Sequence, residues 1–396
     1  MEGMRIVAFS IEHFKSIQKL SMPEEGELGS LCCLVGANGA GKTTVLQALD
    51  FIAAMFDADR IRGWLKERGW ERSELTPAGS KSPLMWLSVT ARLGEDRLRW
   101  VGFFNKSKEL WRCTKEIVTC NDNEYIFDLV DGKIRILGTR GGLYRGLDFD
   151  YNGSVLSSIK LNKEIWGDYL SITESFVNFM RSIKSLELLS PHLIKQRARE
   201  GESLGLGGER LSAYIYRLGE EQRARLLEKF KLFYPQVVDL KTGAKQGGWK
   251  RLAIVEKRGS ATIELDARHA SDGMLRVLTM LTELLCSPHP VVLLDEVENG
   301  LYPELLQPLI QTLCDAGKQV FITTHSPLLL NWMPADVARR DVFFVYRDAR
   351  QRLAARRFTS LPAVQDALAV LGPGEAFADV SLARLEQDAR AMEQPS

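Results

Sequence analysis

Gly36, Ala37, Asn38, Gly39, Ala40, Gly41, Lys42 and Thr43 follow one another in the order G-x-x-x-x-G-K-T, after the apolar run Leu31-Cys32-Cys33-Leu34-Val35 and before Thr44-Val45-Leu46-Gln47-Ala48-Leu49. A strand that feeds a glycine-rich turn and then a helix is a phosphate cradle. The glycines let the backbone turn tightly and aim its N–H groups inward, the lysine neutralises β- and γ-phosphates, and the hydroxyl holds Mg²⁺. Gly36, Asn38, Gly39, Ala40, Gly41, Lys42, Thr43 and Thr44 are therefore expected to bind a nucleotide's phosphates, with Thr43 also a metal ligand.

Two other apolar runs end in chemistry. Val291-Val292-Leu293-Leu294 stops abruptly at Asp295-Glu296, as a strand buried on both faces of a parallel sheet does where ligands bind, beyond its carboxyl end. Asp295 is placed to bind Mg²⁺, directly or through water, and Glu296 to polarise an attacking water. Val320-Phe321-Ile322-Thr323-Thr324-His325-Ser326-Pro327 repeats the pattern with hydroxyls and a histidine, which makes His325 a candidate sensor of the γ-phosphate. Ser271-Asp272-Gly273 opens the apolar stretch Val277 to Leu285; taken alone, Ser271 and Gly273 are a helix start whose free N–H groups favour an anion.

The set G-x-N-G-x-G-K-T, S-D-G, L-L-D-E-x-E-N-G-L-x-P and T-T-H-S-P resembles the ABC-type ATPases of the RecF, OLD and SMC group. It is most similar to the compact prokaryotic AAA family ATPases of anti-phage systems such as Septu, or to the ATPase half of OLD-type nucleases. Phe9-Ser10-Ile11-Glu12-His13-Phe14-Lys15-Ser16-Ile17 fits their F-x-I-x-N-F-K-S-I strand, with His13 in place of Asn. The likeness covers residues 4 to 56 and about 185 to 335. It implies an α/β fold of P-loop NTPase type with a mixed sheet, an antiparallel β subdomain and a short α-helical lobe. It implies ATP and Mg²⁺ as cofactors, and a homodimer, or higher oligomer, in which Ser271 and Gly273 reach the γ-phosphate held by the partner protomer. Two departures stand out. Gln196 is a weak match for the lid-loop glutamine, and Asp272 and Met274 break the L-S-G-G-Q of membrane transporters.

The elements that must position these residues divide the chain. The stretch between Lys42 and Ser271 is far longer than a minimal nucleotide domain needs, so it carries an insertion. Trp86 to Leu93, Arg97 to Phe104, Leu110 to Cys120, Tyr125 to Val130 and Lys133 to Leu137 read as antiparallel strands, with Asp131-Gly132 as a turn. Residues 165–190 and 208–233 read as helices, the first with Phe176, Phe179, Met180 and Ile183 at helical spacing. Residues 250–266 read as a hairpin around Arg258-Gly259. After His325 the chain reads as a strand pair, Asp341 to Arg347 and Arg352 to Phe358, then helices near Pro362 to Leu371 and Glu375 to Met392. The expected divisions are 1–160 and 236–360 for the two parts of the ATPase lobe, 161–235 for a helical lobe and 361–396 for a helical tail. No heptad run suits a coiled-coil arm, and the tail lacks the grouped acids of an OLD-type nuclease domain, so any cutting falls to a separate effector.

Composition narrows the class. No run approaches the ~18 apolar residues of a membrane span, and Met1 to Ser10 lacks a signal-peptide layout, so a cytoplasmic protein without membrane partners is expected. The six cysteines are scattered and read as free thiols. A net charge of +1 exerts no global pull on nucleic acid, so DNA would need a local patch. Lys241, Lys245, Lys250, Arg251, Lys257 and Arg258 form one candidate, Lys195, Arg197 and Arg199 another. Trp64, Trp70, Trp86, Trp100 and Trp111 read as core or partner-interface packing ahead of stacking surfaces. Three functions remain open on these residues: an ATP-driven switch acting on a nuclease or on DNA, a slowly turning nucleotide-gated scaffold that restrains a toxic effector, and a repair ATPase of RecF type.

Overall fold

The computed structural model describes residues 3–77, 79–80, 82–107, 111–121, 124–136, 143–146, 149–159, 166–188 and 190–393. Leu110 and Leu137 and residues 165 and 189, at the edges of expected elements, lie outside them. Among the described residues the strands form three sheets.

The central sheet runs in the order β10 (Lys184–Leu186), β14 (Val291–Leu294), β15 (Gln319–Thr323), β3 (Leu31–Val35), β16 (Val342–Arg347), β17 (Leu353–Arg357). All neighbours are parallel except β16 and β17. Its strands bury both faces. Cys32, Leu34, Leu293, Phe321 and Phe343 enter one apolar cluster, while Cys33, Val35, Val292, Leu294, Val320 and Ile322 enter another. That two-sided burial is why these stretches are continuous apolar runs in the sequence.

The second sheet is antiparallel, ordered β2 (Ile17–Met22), β1 (Arg5–Phe14), β4 (Leu84–Leu93), β5 (Asp96–Asn105), β6 (Arg112–Cys120), β7 (Glu124–Val130), β8 (Lys133–Ile136), β9 (Leu143–Gly146). Helix α1 (Lys42–Ala54) packs between it and the central sheet, and is therefore buried around nearly its whole circumference. Gln319 links the two sheets: its side chain accepts from Ile6 N at 2.8 Å and donates to Ile6 O at 2.7 Å and Gly29 O at 2.8 Å. The third sheet, β11 (Val237–Ala244), β12 (Lys250–Arg258) and β13 (Ala261–Asp266), contains the expected hairpin plus one strand.

Among the described residues the α-helices beyond α1 are α2 (Ala58–Arg68), α3 (Leu170–Arg181), α4 (Pro191–Ile194), α5 (Leu211–Arg217), α6 (Glu220–Lys231), α7 (Asp272–Cys286), α8 (Leu306–Cys314), α9 (Pro327–Asn331), α10 (Ala335–Asp341), α11 (Pro362–Leu368), α12 (Pro373–Asp379) and α13 (Leu382–Ala391). Three sequence expectations are corrected. The helix over 165–190 ends at Arg181, and Lys184–Leu186 instead becomes the edge strand β10 beside β14. This strand lies within the stretch 161–235. Phe176, Phe179 and Met180 do face the core, but three residues with a parallel partner outweigh helical spacing there. The helix over 208–233 is broken at Gly219, and the final helix breaks before Ser381, which caps α13 by accepting from Arg384 N.

Candidate functional site

Because β14, β15 and β3 are parallel and in register, their carboxyl ends open on one edge. The glycine-rich turn, the acidic pair and the histidine, far apart in sequence, meet there around an open cleft of about 600 Å³. Its lining includes Asn38, Gly39, Gly41, Lys42, Thr43, Thr44, Glu296 and His325.

The turn needs its glycines. Gly36, Gly39 and Gly41 have φ of +147°, +75° and +109°, and a Cβ on Gly36 would stand 2.3 Å from Val345 O. Gly41 is the N-cap of α1, so the first free N–H groups of that helix open onto the cradle. The Lys42 ammonium donates to Gly36 O at 2.9 Å and Ala37 O at 3.0 Å and lies 3.3 Å from His325 Nδ1. A charged ammonium has only donors, so Nδ1 accepts and the imidazole proton sits on Nε2. That nitrogen is 3.8 Å from Glu296 Oε1. Burial pushes the Lys42 pKa down to about 8, against the pull of Asp295, Glu296 and Glu298.

Asp295 is buried and accepts from Thr43 Oγ1 at 3.0 Å on both oxygens and from Thr323 Oγ1 at 2.6 Å. Burial raises its pKa, opposed by those two hydroxyls and by Lys42. A hydroxyl and a carboxylate are the hard oxygen donors that Mg²⁺ takes, with substrate phosphates and waters completing the shell. No cluster of three or more His, Cys, Asp or Glu side chains suited to a metal occurs among the described residues. Glu298 also lines the cleft, and its Oε2 is buried without a protein partner. Thr43 and Asp295 thus fit the metal.

Glu296 sits at a non-glycine φ of +48°, a strained backbone position that its neighbours secure. Its N–H donates to Thr323 Oγ1 at 2.8 Å, its carbonyl accepts from Arg276 Nη2 at 2.9 Å, and Oε2 accepts from Asn299 Nδ2 at 3.2 Å. Glu298 Oε1 accepts from His325 N at 2.6 Å, tying the acidic loop to the histidine loop.

Ser271 and Gly273 are not brought to this cleft. Ser271 caps α7, accepting from Met274 N at 3.3 Å. Gly273 packs so closely on the loop after Glu296 that a Cβ would stand 2.4 Å from Gly300 O. Gln196 does not line the cleft either. Sequence reasoning assigned no role to Thr323, Arg276, Glu298, Asn299, Ser16 or Arg347. Thr323 was legible within T-T-H-S-P, Glu298 and Asn299 within L-L-D-E-x-E-N-G-L-x-P, and Ser16 within the F-K-S-I stretch; Arg276 and Arg347 carry no local signal.

Of the expected basic patch, Lys241 pairs with Glu264, Arg251 with Glu264 and Asp266, and Arg258 with Glu256. Arg197 pairs with Asp266 and Lys195 with Asp272. Trp64, Trp100 and Trp111 are buried in the core. All six cysteines are free. No helix among the described residues is long and apolar enough to cross a membrane.

The family described as "AAA domain, putative AbiEii toxin, Type IV TA system" matches residues 31–108 and 131–331, a span that takes in every residue of the cleft from the cradle to His325. Two solved structures share the architecture. The Smc head bound to the C-terminal winged-helix domain of ScpA is 13% identical, covering 92% of this chain and 99% of that one with a TM-score of 0.53. The Smc head with an extended coiled coil bound to the C-terminal domain of ScpA, derived from Pyrococcus furiosus, is 12% identical, covering 92% and 100% with a TM-score of 0.51. At that identity they establish the fold, the ABC-type P-loop NTPase fold of Smc heads. No curated protein matches the chain. The chain belongs to this AAA-domain family of nucleotide-binding ATPases.

Proposed function

We propose that this chain hydrolyses ATP with Mg²⁺, closes as a nucleotide-sandwiched homodimer, and uses that cycle to control a separate effector, a nuclease or toxin, in anti-phage defence. One arrangement carries the hydrolysis reading: Thr323 bonds both Asp295 and the backbone of Glu296. A single buried hydroxyl thereby orients a metal-binding carboxylate and a carboxylate able to polarise water, beside a lysine that reaches phosphates. When bound, Mg²⁺ would neutralise charge on the β- and γ-phosphates. Lys42 and the α1 N–H groups bind the phosphates, Glu296 accepts the proton of the attacking water, and His325 reports the γ-phosphate through its bond to Lys42.

The dimer reading is supported by Ser271 and Gly273, which lie outside the chain's own cleft yet match the signature position of the resemblance. The toxin–antitoxin wording of the family description supports a defence role. Steady-state phosphate release measured alongside ATP affinity tests the reading. Turnover lost on Glu296→Gln with binding retained is expected. Tight binding with almost no phosphate release by the unaltered chain would instead favour the nucleotide-gated scaffold.

A further inference from the structure

The residues assigned so far all attend one end of a nucleotide. Asp295, Glu296 and His325 follow β14 and β15, which lie on one side of β3 in the central sheet; β16 lies on the other side. A triphosphate laid across the turn between β3 and α1, with its γ-phosphate toward His325, must direct its α-phosphate and nucleoside toward β16. At the end of β16 stands Arg347, which lines the same cleft. Its guanidinium lies beside the α1 N-cap: a Cβ built on Gly41 would be 3.8 Å from Arg347 Nη2.

Two contacts hold Arg347 in place. Its Nη1 donates to Ser16 O at 3.3 Å, in the turn between β1 and β2. Its carbonyl accepts from Arg390 Nε at 2.8 Å, from the C-terminal helix α13. Among the described residues no carboxylate lies within ion-pair distance of its guanidinium, which lines the cleft with Lys42. Beside a phosphate-binding turn, such a guanidinium is matched in charge and geometry to phosphate oxygens.

We infer that Arg347 is a nucleotide-binding residue that grips the α-phosphate and ribose end of the ligand, opposite the Lys42 and His325 end. The inference rests on the nucleotide reading above and adds a second anchor to it. An anchor at the α end does not distinguish ATP from ADP, whereas Lys42 and His325 do.

Calorimetric titration of ATP and of ADP, with Mg²⁺, into the unaltered chain, Arg347→Ala and Arg347→Lys tests this. A lost charge-assisted contact weakens binding about 10- to 100-fold, so Arg347→Ala should weaken both nucleotides by a similar factor in that range. Arg347→Lys should recover part of the loss. Arg347→Gln serves the same comparison if the alanine variant does not fold. Unchanged affinity for both nucleotides would remove Arg347 from the site. Loss for ATP alone would place it at the γ-phosphate and overturn the assignment. Failure of the unaltered chain to bind either nucleotide would sink the nucleotide reading itself, and the role of Arg347 with it.

Discussion

Lys42 and His325 are joined by a 3.3 Å contact between Nζ and Nδ1, so the cradle lysine touches the loop that follows β15. Because the ammonium also donates to Gly36 O and Ala37 O, all three of its N–H bonds are engaged by the protein. On the proposed reading, a γ-phosphate would replace at least one of them, and His325 would sense its arrival.

Binding of ATP should therefore be sensitive to pH. Burial lowers the Lys42 pKa to about 8, and a phosphate ligand favours the charged ammonium and raises it again. The free protein loses the Lys42 proton above about pH 8 and must take it back on binding, so affinity falls as pH rises, approaching about tenfold per unit well above that value. Calorimetry at pH 7 and pH 9, in buffers of different ionisation enthalpy, should show weakening with proton uptake. Lys42→Ala should abolish binding at both. Constant affinity without proton uptake would mean that Lys42 does not meet the phosphates.

Glu296→Gln keeps size and hydrogen bonding but removes the carboxylate proposed as the base. The variant should bind ATP, release almost no phosphate, and accumulate as a closed dimer on size-exclusion chromatography with light scattering. Hydrolysis at the unaltered rate would require another group to position the water.

Thr323→Val removes the hydroxyl between Asp295 and Glu296 while preserving shape. It leaves the Glu296 N–H, held at φ +48°, without its partner, a cost of about 1–3 kcal/mol. If that energy holds the reactive arrangement, turnover should fall about 10- to 100-fold with ATP affinity nearly unchanged. Thr323→Ser should restore most of it. A loss of affinity matching the loss of turnover would show that Thr323 serves binding and not positioning.

Ser271→Arg should leave ATP binding by one protomer intact, since its own cradle lacks Ser271, yet abolish turnover if Ser271 acts across the dimer. Mixed with Lys42→Ala protomers it should regain activity. The intact cradle of the Ser271→Arg chain then faces the sound Ser271 of the other, restoring one site and up to about half the activity per mixed dimer if sites are independent. No recovery, with mixed dimers confirmed by mass, would leave Ser271 as the N-cap of its own helix or require both sites to close together.

Much of this protein is legible in its amino-acid sequence. Local chemistry decides the cradle, because a turn with φ of +75° and +109° at Gly39 and Gly41 admits little but glycine. Two-sided burial decides β3, β14 and β15, because it forces unbroken apolar runs. The antiparallel strands from Trp86 onward follow from alternation and the Asp131-Gly132 turn. What the tertiary structure alone decides depends on partners distant in sequence. Lys184–Leu186 becomes a strand because β14 offers a parallel edge, not because of its own pattern. Arg276 reaches Glu296, Gln319 joins Ile6 to Gly29, and Arg347 enters the cleft from beyond β3. No periodicity announces such contacts. They arise when the sheet brings strand ends into register, and a residue's role is then set by what stands within about 3 Å of it and not by its neighbours along the chain.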